Sequence, residues 1–282
     1  MASIPGDFPS IETALAAGAV DLELSGAHSY SGSLTGPLRI CGGRIEVSEA
    51  EGILLSDRVE LIDMEISAPD GDAIRVDGGT VLLRGLRIQA QSRAVVFEAD
   101  AAGSAVDLTL SSVDKSSLVI SGRAKPVVED LVIETSGKSG ILINGEASPH
   151  LSRMRVIQSG FAGMEVTGEA SPRVFDLRVE KSHEGGVLVS GSASPELRGI
   201  KIEQCALSAL EVKGDANPVV DGFHVVFSAM GGILLHEQAR GTYMDLHFEQ
   251  TMLSAIEARG SAIADIEGMI CYQGRESALW AR

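Results

Sequence analysis

Four five-residue tags constrain this chain more than anything else in it. Gly-Glu-Ala-Ser-Pro opens at Gly145 and again at Gly168, Gly-Ser-Ala-Ser-Pro at Gly191 and Gly-Asp-Ala-Asn-Pro at Gly214, each 23 residues after the last. A fixed period of that size marks an architecture made by stacking one small unit on the next. The register extends both ways, with units opening at Gly122, Gly145, Gly168, Gly191, Gly214, Glu237 and Gly260. The third position is alanine in every unit, and the fifth is proline until Gly241 and Ala264 replace it.

Inside each unit, apolar residues come in pairs separated by one mostly polar residue, as in Leu131/Ile133, Leu177/Val179 and Ile200/Ile202, then Ile141/Ile143 and Val187/Val189. Period 2 means half-buried strands. A weaker third stretch surrounds Val128, Leu151, Val174, Leu197 and Val220. Three short strands per unit leave no room for a helix, and a propeller blade needs about 40 residues. The fold expected is therefore all-β, a right-handed single-stranded parallel β-helix with one coil per unit and coils about 4.8 Å apart. The opening glycines suit positive φ. The prolines suit a strand start or a bend, and the alanines a crowded corner. Position 15 (Ser136, Ser159, Ser182, Cys205, Ser228, Thr251) reads as an inward ladder satisfied by structural hydrogen bonds.

The unit Gly168 to Ser190, GEASPRVFDLRVEKSHEGGVLVS, resembles the repeat of the right-handed β-helix superfamily of pectate-lyase-like proteins. It is most similar to the carbohydrate-binding and sugar-hydrolase-type repeats of F-box receptors and bacterial multidomain proteins. The resemblance covers residues 122–282. It implies the fold, and it leaves function open among lyases, hydrolases, epimerases and non-enzymatic binding domains.

The formal charge of −16 argues against nucleic acid and anionic membrane as partners, since both need a basic footprint. No apolar run is long enough to span a bilayer, and no signal peptide is visible. Cys41, Cys205 and Cys271 fall too many coils apart to bridge, so a reduced, cytoplasmic setting is expected. Along the chain, residues 1–19 read as a leader and a short capping helix, with Ser10 as N-cap. Residues 20–121 read as irregular coils and 122–282 as seven regular ones, about ten coils forming one continuous domain. Nothing comparable to the helix caps the last coil, whose strand edge is a template for pairing.

Two surfaces are candidates for function. Outward positions of the Leu-x-Ile strand give a basic stripe, Arg155, Arg178, Lys201, His224 and His247 at position 11. Acids flank it, Asp130, Asp176 and Asp245 at position 9 and Glu134, Glu180, Glu203 and Glu249 at position 13. This is either a polar groove for a sugar polymer or acidic peptide, or a solvated ladder of lateral ion pairs. Asp245, His247 and Glu249 are the weak catalytic candidates, but the two acids straddle the histidine by about 13 Å, too far for a glycosidase pair. Two stacked histidines fall short of a metal site, so neither metal nor cofactor is expected. The second surface is position 21, where Leu142, Leu188, Leu234 and Trp280 alternate with glutamates. Position 17 adds Phe161, Leu207, Met230 and Leu253 beside it. These are either exposed interface columns or, at position 17, side chains folded into the bend over the core.

Two functions follow. The first is a non-catalytic β-helix that binds or scaffolds other proteins, with a protein partner or a second copy engaging the C-terminal coil. The alternative is a carbohydrate-active enzyme or polysaccharide-binding domain, for which aromatic platforms are scarce.

Overall fold

A computed structural model describes residues 1–281. The chain is an all-β parallel solenoid of about 12 turns, two more than the repeat arithmetic gives. Its strands form a 16-stranded sheet, whose strands lengthen to 7–11 residues from Thr80 onward, and a 12-stranded sheet of three- and four-residue strands. Every strand pairs in parallel with its counterparts in the coils before and after. The tenth-position column runs in unbroken register from Leu131 through Met154, Leu177, Ile200, Phe223 and Leu246 to Met269. These side chains are buried up to Leu246 and form one continuous core along the axis.

The three stretches per coil are present, but from Thr80–Ala90 onward the first two fuse into one long strand, as in Val127–Thr135 and Arg173–Ser182. The fused strand bends at position 9, where the chain takes a positive φ in coil after coil. The residues there are Asp63, Gly85, Asp107, Asp130, Arg153, Asp176, Gly199, Gly222, Asp245 and Gly268. Asp and Gly recur because a short polar side chain, or none, tolerates the left-handed region. The acids Asp130, Asp176 and Asp245 are exposed, as the outward stripe expects, and they stand on this corner.

The other columns have equally local causes. The opening glycines all have positive φ, and a Cβ on Gly145 would lie 2.9 Å from the Gly122 carbonyl oxygen. Both conformation and space call for glycine there. The alanine column is fully buried from Ala124 to Ala239. Each proline immediately precedes a long strand, and its carbonyl accepts the amide of the coil above, as in Arg173 N–H to Pro149 O at 2.9 Å. Gly241 breaks the proline column because buried Tyr243 crosses it. A Cβ there would meet the phenol oxygen at 2.6 Å, and the hydroxyl donates to the Arg240 carbonyl. The position-15 hydroxyls are buried and satisfied. Ser228 Oγ donates to the carbonyls of Leu207 and Gly231 at 2.7 and 2.8 Å.

At the start of the chain, the supposed leader is part of the solenoid. Ala2–Ile4 is a strand paired with Asp21–Leu24, with Ile4 buried. The capping helix runs from Ile11 to Ala16 with Ser10 as N-cap in a reciprocal capping box with Thr13, burying Ile11 and Ala14 over the first coil. At the other end, Ile266, Met269 and Cys271 are only partly buried, where Tyr243, Leu246 and Phe248 one coil earlier are fully so.

Candidate functional site

On the outer face of the long-strand sheet, the position-11 cations reach for glutamates. Arg155 Nε lies 2.6 Å from Glu180 Oε1, and Arg178 Nη2 lies 2.8 Å from Glu203 Oε1. Each of these pairs spans one coil boundary. Lys201, whose upper neighbour at position 13 is Val226, turns instead to Glu203 of its own coil at 3.2 Å. Partial burial opposes ionisation of Glu203, but hydrogen bonds from Arg178 and Lys201 outweigh it and hold its carboxyl below the ordinary value. The arrangement is a ladder of ion pairs along the axis, and it leaves Arg155, Arg178 and Lys201 already engaged.

Where the cations give way to imidazoles, the ladder changes character. His224 and His247 sit in direct register on adjacent strands, with ring centroids 4.6 Å apart. Glu249 reaches back one coil so that its Oε1 lies 2.8 Å from His224 Nε2. One ligand atom from each of His224, His247 and Glu249 falls within 4.8 Å of the others. Asp245, the remaining catalytic candidate, sits on the left-handed corner outside this cluster. Beside the cluster, Tyr272 stands 5.5 Å from the His247 ring. A hollow of about 520 Å³ is lined by His247, Glu249, Gln250, Tyr272 and Gln273. The sequence held the signal for the third residue. Arg155 and Glu180 are 25 residues apart, and so are His224 and Glu249. Reading position 13 within one coil, rather than across the boundary, misses it.

The short-strand sheet carries a shallow groove. Its floor is position 21, which runs in register as Leu142, Glu165, Leu188, Glu211, Leu234, Glu257 and Trp280. Within residues 92–144, positions 17, 21 and 23 border one hollow, where Lys138, Leu142 and Asn144 meet. The floor is less open than alternation alone implies. Leu188 is 8% exposed, and Leu142, Leu234 and Trp280 are half-buried. At position 17, Leu207 is exposed and Phe161, Met230 and Leu253 are half-buried. The floor glutamates are also engaged, Glu165 by the Ser139 hydroxyl, Glu211 by His236 and Glu257 by Arg259.

One end of this groove, unnoticed in the sequence, is basic. Arg93, Lys115 and Lys138 line a hollow of about 480 Å³ with Ser116 and Asn144. Arg93 is paired with Asp72, whereas Lys115 and Lys138 meet no carboxylate within ion-pairing distance among the described residues. Each lysine stands at position 17, where the following coils carry Phe161, Glu184, Leu207, Met230 and Leu253. The missed signal was a switch of residue type within one column.

The three cysteines are free. Burial pushes the Cys205 thiol up to about 11, with hydrogen bonds to Ser228 and the Gly186 backbone pulling the other way, so it is protonated and inert at neutral pH. No helix is long and apolar enough to cross a membrane.

Compared with protein-family models, curated proteins and solved structures, the chain matches none. The solenoid is thus shown by its own strand register, and the resemblance to the pectate-lyase-like superfamily rests on the repeat alone.

Proposed function

We propose that this solenoid is a non-catalytic protein-binding scaffold whose partner lies along the groove of the short-strand sheet, within the broader right-handed β-helix class. The observation that carries this reading is the run of outward apolar side chains on the short-strand sheet. Seven apolar side chains, Phe161, Leu207, Met230 and Leu253 at position 17 and Leu142, Leu188 and Leu234 at position 21, follow the solenoid axis toward the lysine-lined end. A partner segment with an apolar stripe and an acidic end matches both parts. Aligned apolar side chains on an otherwise charged surface favour an interface, and unpaired lysines at its end favour an acidic partner by electrostatic complementarity. A carbohydrate role has less support, because the arginines of the other face are engaged in ion pairs.

The experiment is site-specific photocrosslinking in the cells that make the protein, with the crosslinker at Leu207 or Leu234, and at Arg178 as control. A discrete protein adduct from the groove positions, absent from the control and lost when Lys115 and Lys138 become Glu, is the expected result. Groove positions that crosslink no more specifically than Arg178 would refute it. So would saturable binding or turnover of a polysaccharide that disappears when Arg155, Arg178 and Lys201 are replaced by alanine.

A further inference from the structure

We infer that His224, His247 and Glu249 form a binding site for one divalent cation of the zinc class. The inference is independent of the groove, since these residues lie on the other sheet. Imidazole and carboxylate are zinc's ordinary donors, and two histidines with one carboxylate form a three-ligand set with an open position.

The geometry is close to what the ion requires. Zinc holds such ligands at about 2.0–2.1 Å, which sets tetrahedral donor atoms about 3.4 Å apart. The His224 Nε2–Glu249 Oε1 separation is 2.8 Å, and the widest separation in the trio is within 4.8 Å. Side-chain torsions alone cover that difference, while the paired strands fix the two histidine backbones. On binding, the cation takes the place of the hydrogen bond between His224 Nε2 and Glu249, any hydrogen on Nε2 passing to Nδ1 or to solvent, and both groups become ligands.

Glu249 also differs from the other acids of its column. Glu180 and Glu203 each face an arginine, and Glu203 a lysine too. The cationic partner found for Glu249 among the described residues is His224 alone, and that only when protonated. Its carboxylate is therefore free to neutralise a metal charge. The trio is partly exposed, with His224 at 33% and Glu249 at 41%, so an ion can reach it from solvent. Two of the three ligands, His247 and Glu249, themselves line the hollow with Gln250, Tyr272 and Gln273. There an oxygen or nitrogen donor from outside the chain can complete the shell.

The test uses the full chain, stripped of metal with a chelator and titrated with Zn²⁺ by calorimetry, then with Co²⁺ by visible absorption. One equivalent of Zn²⁺ is expected, with Co²⁺ bands of a four- or five-coordinate site. His247→Ala and Glu249→Gln should each weaken binding by at least about tenfold, with an unchanged circular dichroism spectrum. His236→Ala, which removes a histidine paired with a different glutamate, should change nothing. No saturable binding by the wild-type chain would overturn the inference. So would Co²⁺ held in an octahedral, water-like environment, or binding lost with His236→Ala and retained without His247.

Discussion

Two residue-level choices in this chain answer to backbone geometry rather than to side-chain chemistry. At position 9 the φ of Asp176 is 58°, and neither a hydrogen bond nor an ion pair of its carboxylate is found among the described residues. Its role is conformational, so Asp176→Gly should leave stability within about 0.5 kcal/mol. Asp176→Val, β-branched in the left-handed region, should cost about 1–2 kcal/mol. Chemical denaturation of both variants checks this, and equal losses would mean that the carboxylate matters. This column shows where the sequence was readable and where it was not. Gly122 to Gly214 announce positive φ because only glycine stands there, save Glu237 further on. Position 9 mixes Asp, Arg and Gly, and the charge of its exposed acids hides the backbone reason for them. Cys205 offers a second test. Its folded thiol is raised to about 11, so the folded state holds the proton more tightly. The stabilisation is complete below the ordinary thiol value of 9.0 and is lost as pH rises from there through 11, about 2–3 kcal/mol in all. Cys205→Ser restores the residue found in four coils of that column and should remove this part of the alkaline instability while changing stability at pH 7 by less than about 1 kcal/mol. Melts of the two proteins from pH 7 to 11 provide the measurement.

For a single element, the strand's inward and outward faces make the sharpest contrast. Ile202 is fully buried between Val179 and Val225 in register, whereas Lys201 points outward to Glu203. Ile202→Asp places a carboxylate among aliphatic side chains with no partner and should cost several kcal/mol. Lys201→Ala removes one exposed ion pair and should cost well under 1 kcal/mol. Denaturant midpoints that shift equally would show that the alternation is misassigned. Strand phase was legible because period 2 survives every substitution in the core columns. The join between the first two stretches was not, because a left-handed residue bends the strand without ending its hydrogen bonding. The metal-ligand trio was hidden for a related reason. It is assembled across a coil boundary, and the alternation within one strand says nothing about which side chain leans toward the next coil.

At the scale of the whole molecule, the two ends of the solenoid differ. The first coil is covered by the helix Ile11–Ala16. In the coil of residues 260–281, Ile263, Ile270, Tyr272 and Leu279 are all more than half exposed. The coils of a solenoid stabilise one another through their interfaces, and apolar side chains this exposed mark a surface suited to contact. The helix occludes the other end, so head-to-tail stacking of two copies is disfavoured. A two-fold contact between the coils of residues 260–281 would cover these side chains with the same surface on both copies. We therefore expect concentration-dependent self-association in sedimentation equilibrium. Leu279→Asp, at an exposed position of the last strand, should weaken it, as should Ala278→Pro beside it. Leu207→Asp, in the groove far along the stack, should leave it unchanged. Trp280 pairs in register with Glu257 and is half-buried, so Trp280→Ala tests the same contact less cleanly, through the fold of the coil as well as its surface. A strict monomer at high concentration, with amide exchange in residues 260–281 as slow as in the coils before it, would show that this end needs no partner.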